Sequence, residues 1–286
     1  DLRIAGVLDA MLDARVLAAA AFELSRNDML LEPHRPVDVS GATRFQAMLE
    51  RRCAREPVAR ILGSREFHSL NFEVGPETLE PRPDSEVIVD AAVAFGRAFP
   101  GAVRVLDLGT GTGCLLLSVL NELPGAEGVG SDIAAGAIEV ASRNAESLGL
   151  ADRVQFFCTN WTDGIDGAFD LILSNPPYIT TAEIAGLTPE VAAYDPSIAL
   201  DGGVDGLGAY RDLASRVGDV LSPSGVVVLE IGIGQKDDVM SIFKECGFRT
   251  VNTRKDIGGL TRALSFGMEP LSEWLKSVKK KGLETV

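Results

Sequence analysis

Residues 175–178 read Asn-Pro-Pro-Tyr, a run with an unequal supply of donors and acceptors. Proline lacks a backbone N–H, so two in succession make a loop that shows carbonyl acceptors and few donors, and Asn175 adds a side-chain oxygen. A planar NH2 group suits such a loop. An amide nitrogen is a poor nucleophile, because its lone pair is held in the resonance that sets a rotation barrier of roughly 18–20 kcal/mol. Two hydrogen bonds accepted from that nitrogen would orient it about 3–3.5 Å from an electrophilic methyl carbon and stabilise the positive charge developing on it. Tyr178 can lie against the flat group, excluding water and fixing its plane. Asn175, Pro176 and Tyr178 are therefore the candidate catalytic residues, and Pro177 completes the candidate substrate site. The scheme calls for no metal and no general base with a shifted pKa. A plain turn is the competing reading, since Asn-Pro dipeptides commonly form turns.

A second run, Val105-Leu106-Asp107-Leu108-Gly109-Thr110-Gly111-Thr112-Gly113, puts a glycine-rich turn between an apolar strand and a helix. This is the ligand-binding edge of an open α/β sheet. A dinucleotide fold prefers G-x-G-x-x-G, whose third glycine would fall at Cys114, whereas here the glycines alternate behind Asp107. That spacing fits the methyl donor S-adenosylmethionine better than a pyrophosphate. A carboxylate near the end of the following strand can accept both ribose hydroxyls, and Asp132 lies about 20 residues on. Trp161 offers a face to adenine, with an ordinary core tryptophan as the equal alternative. The candidate cofactor set read from these residues is Asp107, Gly109, Thr110, Gly111, Thr112, Gly113, Asp132 and Trp161.

The elements that must position these residues follow from hydrophobic period. Strand, helix and strand alternate after Pro81-Arg82-Pro83, with Asp84 or Ser85 as the cap of a first helix through Phe95. Strands are predicted at Val103–Leu108, Gly128–Asp132, Val154–Cys158, Leu171–Ser174, Val226–Ile231, Phe248–Val251 and Leu260–Phe266. Between them come helices Cys114–Leu123, Ala134–Leu148, Ala209–Leu221 and Lys236–Cys246. The expected fold is α/β, a doubly wound, mixed, seven-stranded, Rossmann-like sheet over residues 81–266. Ahead of it, Leu8, Leu12, Val16 and Ala19 recur at helical steps, as do Phe45, Met48, Leu49, Arg52 and Cys53 behind a possible Ser40 cap. Residues 1–60 read as a small helical domain. Phe67–Val74 looks like a β-hairpin within a linker over 61–80. Residues 267–286 form a C-terminal tail with Trp274, Leu275 and Val278 as a possible apolar stripe.

The 286 residues, 46% of them hydrophobic, suffice for one large and one small domain without staples. Four dispersed cysteines and two histidines argue against a zinc site or a disulfide framework. The longest apolar run near the start, Val16–Phe22, is far below the roughly 20 residues that a bilayer span needs. The expectation is a cytoplasmic, reduced protein with no membrane partner. A net charge of −14 would repel a phosphate backbone, so extended nucleic acid is a poor default partner. Lys276, Lys279, Lys280 and Lys281 crowd the end and read as a solvated tail.

With both motifs present, the sequence resembles the HemK/PrmC family of release-factor glutamine methyltransferases from residue 1 to about 266. The four-residue loop also occurs in DNA adenine and ribosomal RNA guanine methyltransferases. More specific are Pro57-Val58-Ala59 with Gly63, Arg65-Glu66-Phe67, and Pro81-Arg82-Pro83-Asp84-Ser85-Glu86. After Tyr178 the likeness continues through Glu190-Val191, Pro196, Ala199-Leu200, Gly203 and Asp205-Gly206-Leu207. The resemblance implies a class I S-adenosylmethionine methyltransferase fold and a glutamine acceptor in the Gly-Gly-Gln loop of class I peptide release factors. It also implies that Gly109 to Gly113, Asp132, Trp161 and Asn175 contact the methyl donor, that Asn175 to Tyr178 hold the acceptor glutamine, and that the helical domain grips the release factor. Three positions depart from the family pattern: Ser85 where threonine is frequent, Arg60 where an aromatic is common, and Asp195 where glutamate usually precedes the proline. Two other readings compete: a methyltransferase acting on the exocyclic amine of adenine or guanine, which must flip the base, and a non-catalytic binding module of the same fold. The acidic charge opposes the first, and an intact Asn175 and Asp132 oppose the second.

Overall fold

The computed structural model describes residues 1–31, 34–99 and 101–276. Helices α1 (Ala10–Ala21), α2 (Arg26–Leu31), α3 (Val39–Cys53) and α4 (Val58–Leu62) form the N-terminal unit. Asp38, not Ser40, caps α3, accepting from the Gly41 N–H. Ser40 is already within the first turn, where its hydroxyl cannot reach the free amides ahead of it. Phe45, Met48, Leu49 and Cys53 are half-buried on the inner side of α3, and Arg52 is buried. On α1 the apolar stripe faces outward: Leu8, Leu12 and Val16 are exposed, whereas Ala10, Leu17 and Ala21 are buried. With Leu2 and Val7, Ala10 forms a core too small to cover both faces of the helix.

The hairpin β1 (Ser64–Phe67) and β2 (Leu70–Glu73) follows. It turns at His68 and Ser69, both with positive φ, the pattern of a two-residue hairpin turn. The main unit contains α5 (Glu86–Ala98), β3 (Arg104–Leu108), α6 (Cys114–Glu122), β4 (Glu127–Asp132), α7 (Ala135–Ser147), β5 (Val154–Cys158) and β6 (Phe169–Ser174). An insert with α8 (Thr181–Ile184) and α9 (Pro189–Ala192) leads to α10 (Gly208–Arg216), β7 (Leu221–Glu230), α11 (Lys236–Glu245), β8 (Phe248–Lys255) and β9 (Thr261–Met268).

The seven-stranded sheet runs β5-β4-β3-β6-β7-β9-β8. All neighbours are parallel except the two pairs that β9 makes, with β7 and β8. One core, with Val105, Leu171, Val226 and α5, α6 and α7, covers one face. A second, with Leu106, Ile172, Val227 and α10 and α11, covers the other. Burial on both faces explains why the central strands read as continuous apolar runs.

Several boundaries differ from the sequence reading, among them the hairpin, which was expected over Phe67–Val74 and spans Ser64–Glu73. Helix α10 stops at Arg216, and β7 begins at Leu221, because Leu221 pairs with Phe169 and the register shifts before Leu171 meets Val226. The polar Ser-Pro-Ser-Gly of residues 222–225 is absorbed in that irregularity, which an apolar pattern does not show. Strand β8 continues to Lys255 because it is a polar edge strand paired on one side only. The segment after β9 has a packing role: Leu271 and Leu275 are buried in the α5 core, and Trp274 donates to the Ala98 carbonyl at 2.9 Å. Val278 and Lys279–Lys281 lie outside the described residues.

Candidate active site

The strand order reverses between β3 and β6, and a crevice opens there at the carboxyl ends of the strands. Register places the candidate residues side by side. Leu108 lies opposite both Ser131 and Ser174, and Ser174 opposite Leu229. The next residues along the four chains are Gly109, Asp132, Asn175 and Glu230, so all four emerge at one edge.

A cavity of about 420 Å³ occupies the crevice. Gly109, Thr110, Gly111, Thr112, Asp132, Trp161, Asn175 and Pro177 line it. The glycine turn is held by the Gly109 and Thr110 N–H groups, which both donate to the Ser131 carbonyl at 2.9 Å. Gly109, Gly111 and Gly113 all have positive φ, the region that glycine enters without the Cβ penalty. Asp132 accepts from the Gly111 N–H at 2.9 Å and the Ala134 N–H at 3.0 Å, which fixes its carboxylate at the cavity wall. Trp161 adopts a φ of 51°, a conformation that costs a bulky residue of order 1 kcal/mol. Its carbonyl accepts from the Ser131 hydroxyl at 2.8 Å, and its ring stands over Gly109.

Asp107 and Gly113 are not on that wall. Asp107 is fully buried behind the turn and accepts from the Thr110 hydroxyl at 2.7 Å. Burial pushes its carboxyl up to about 7, with Asp132 adding to the rise and the Thr110 bond opposing it. Gly113 ends the turn in the left-handed region and starts α6.

A second cavity, about 310 Å³, lies on the other side of Asn175 and is lined by Pro176, Tyr178, Leu187, Val191 and Glu230. Asn175, Arg82, Leu79 and Ala199 border both spaces. The candidate set thus divides: Gly109 to Thr112, Asp132 and Trp161 face one chamber, together with Pro177, which was expected on the substrate side; Pro176 and Tyr178 face the other, and Asn175 the junction.

Sequence reading missed Glu230 and the use made of Ser85. Glu230 is 2% exposed at the end of β7. Its carboxylate accepts from the Ser85 hydroxyl and from the Tyr178 hydroxyl, the latter at 3.2 Å. Burial pushes its carboxyl up to about 6 against the pull of those bonds and of Arg262. Ser85, expected as a helix cap, makes no cap bond and turns its hydroxyl to Glu230. A lone acid inside an apolar run, at the carboxyl end of a buried strand, was the available signal. Gln235 also escaped notice: its amide donates to the Tyr178 carbonyl at 3.0 Å and the Gly206 carbonyl at 3.2 Å, tying the loop to the insert. Gly206 allows this approach, since a Cβ there would stand 2.5 Å from the Tyr178 carbonyl.

The insert is anchored by ion pairs. Glu190 is held by Arg52 at 3.0 Å and by Arg55 at 2.7 Å. Asp195 is held by Arg60 at 3.1 Å and by Arg82 at 2.6 Å. Arg60 and Asp195, two of the three departures from the family pattern, therefore meet as partners.

The larger cavity fits the methyl donor that its motif predicts. Glu77, Asp132, Asp201 and Asp212 on its walls favour a cationic sulfonium and ammonium and disfavour a pyrophosphate. The glycine turn leaves its backbone open to close approach, and the Asp132 carboxylate is an acceptor of the kind that ribose hydroxyls require. Among the described residues no helix is long and apolar enough to cross a membrane.

Comparison with known proteins agrees with this geometry. Residues 1–63 match the PrmC N-terminal domain and residues 91–190 the methyltransferase small domain. The chain is 47% identical to a release factor glutamine methyltransferase of Agrobacterium fabrum over 93% of both chains. It is 48% identical to one of Rhodospirillum rubrum over 92% of this chain and 80% of that one. A methyltransferase from Pyrococcus furiosus shares the fold, at 21% identity and a TM-score of 0.51 over 78% of this chain and 98% of that one. A two-chambered crevice with Asn175 at its junction, and identity along nearly the whole length, place this chain in the release factor glutamine methyltransferase family.

Proposed function

We propose that this protein transfers a methyl group from S-adenosylmethionine to the side-chain amide nitrogen of the glutamine in the Gly-Gly-Gln loop of class I peptide release factors. The observation that carries the assignment is the junction: of the four residues that border both the glycine-turn cavity and the cavity lined by Pro176 and Tyr178, Asn175 alone carries an amide. When bound, the cofactor supplies an electrophilic methyl carbon on a positive sulfur. The chain's own residues do the rest. Asp132 and the glycine turn hold the donor, and Trp161 covers one side of it. Asn175 Oδ1 and the Pro176 carbonyl accept from the glutamine NH2 and aim its lone pair through the junction. Both acceptors gain strength as positive charge grows on that nitrogen, so the loop favours the transition state over the substrate. Tyr178, its hydroxyl anchored on Glu230, lies against the amide plane and keeps water out. Leu187 and Val191 of the insert cover the acceptor side. The helical unit, with its outward apolar stripe, docks the release factor away from the chemistry.

Incubation with labelled donor, a release factor, its Gly-Gly-Ala variant and DNA tests the reading. Label is expected on the Gly-Gly-Gln factor alone. Label on DNA, or equal label on the Gly-Gly-Ala variant, would overturn it.

A further inference from the structure

Asn175 presents two chemically opposite ends at the junction, and only its oxygen suits an NH2 acceptor. What decides which end faces the substrate lies one and two residues deeper. Asn175 Nδ2 donates to Ser85 Oγ at 3.2 Å. The Ser85 hydroxyl in turn donates to Glu230 Oε2, while Tyr178 donates to Glu230 Oε1 at 3.2 Å. An ionised carboxylate only accepts, and a hydroxyl has a single proton. Ser85 therefore spends its proton on Glu230 and has only lone pairs left for Asn175. A flipped Asn175 would set its oxygen against those lone pairs and its NH2 against the substrate's NH2. In the arrangement observed, Asn175 Oδ1 bonds to no described residue.

We propose that Ser85 and Glu230 are positioning residues that lock the Asn175 amide with its oxygen toward the acceptor nitrogen, and thereby set the site's preference for an NH2 substrate. The proposal rests on the methyl-transfer reading above, but the lock is a property of the free protein and can be measured there.

A consequence follows in pH. The groups facing Glu230 are Ser85 and Asp84 ahead of α5, Tyr178 on the loop, Arg262 on β9 and the Cys114 thiol at the start of α6, with the Tyr210 hydroxyl of α10 donating to its carbonyl at 3.1 Å. With its carboxyl pushed up to about 6, Glu230 takes a proton on mild acidification. It can then donate to Ser85, and the chain of bonds reverses to favour the flipped Asn175. Turnover should fall below about pH 6. Asp107, pushed up to about 7 behind the glycine turn, would give a separate acid limb centred nearer 7, which stays in every variant at Glu230 or Ser85 and is not the limb read below.

The test compares the full-length protein with Glu230→Gln, Ser85→Ala and Ser85→Thr, at saturating donor. The amide introduced by Glu230→Gln has one acceptor oxygen for two hydroxyls, so kcat should fall about 10²-fold with the KM for the release factor little changed, as for loss of a preorganised group. The acid limb near pH 6 should vanish with it. Ser85→Ala should lose both rate and limb, and Ser85→Thr, which keeps the hydroxyl, should recover both. Independently of activity, the Asn175 side-chain NH2 signal of 15N-labelled protein should titrate with a midpoint near 6 in the parent and not in Ser85→Ala. Parent-like kcat and acid limb in Glu230→Gln, or an Asn175 signal that ignores pH in the parent, would overturn the proposal. An Asn175 signal that titrates in a protein placing no methyl on glutamine would uphold the lock and sink the functional reading instead.

Discussion

At the scale of single residues, the proposed function assigns Asn175 to the chemistry and Asp132 to donor binding, and the two can be separated. Asn175 borders both chambers, and if its oxygen meets the transition state as proposed, Asn175→Ala should cut turnover by roughly 10²–10³, as loss of one preorganised contact does. Donor affinity by calorimetry should change far less. Asp132 is on the donor side only, its carboxylate held by two backbone N–H groups. Asp132→Ala should therefore weaken donor binding by about 10-fold or more, in keeping with the loss of charged hydrogen bonds, while the smaller cavity is unaffected. Unchanged affinity in that variant would remove Asp132 from the donor site. Much of this was legible because proline and glycine announce their backbone chemistry. Glu230 was not, because its importance comes from lying beside Asn175 on a neighbouring strand 55 positions away, a relation set by the opposition of Ser174 and Leu229.

At the scale of elements, the insert after Tyr178 walls the acceptor cavity and depends on charges contributed from elsewhere. The side chains of Arg60 and Asp195 are 7% and 1% exposed, and Arg82 completes the cluster. Removing the carboxylate leaves buried guanidinium charge unpaired, which typically costs about 3–5 kcal/mol. Asp195→Asn should lower unfolding free energy by about 3 kcal/mol in urea titrations, with a rise in the KM for the release factor as the wall loosens. Stability like that of the parent would show that solvent or another group replaces the carboxylate. The pairing also rationalises the sequence: an arginine in place of an aromatic and an aspartate in place of a glutamate look like separate oddities until the linker and the insert are brought together. Helix and strand positions were readable where both sheet faces bury the chain. They blurred at the β7 bulge and the β8 edge, where polar residues follow pairing geometry rather than burial.

At the scale of the whole molecule, the helical unit is joined to the catalytic unit through the Arg52 and Arg55 bonds to Glu190. Deleting residues 1–60 would therefore disturb the insert as well as any docking surface. Substitution on the outward face of α1 is the cleaner experiment. Met11 and Leu12 are 55% and 57% exposed there. Replacing both with aspartate should raise the KM for an intact release factor about tenfold, the effect expected when an interface anchor is lost. Donor binding should stay as in the parent, and equal KM values would place the docking surface elsewhere.

What the sequence determined by itself was whatever is local or periodic: the glycine turn, the acceptor-rich loop, the doubly wound alternation and the acidic aspartate of the second strand. Backbone preference and burial act over a few residues, so a linear text can record them. Only the tertiary structure decided that Asn175 sits between two chambers, that α1 shows its larger apolar face to solvent, and that Ser85 and Glu230 stand behind the Asn175 amide. Those facts arise from strand register and from which surfaces the small core can cover, and both are relations between distant segments.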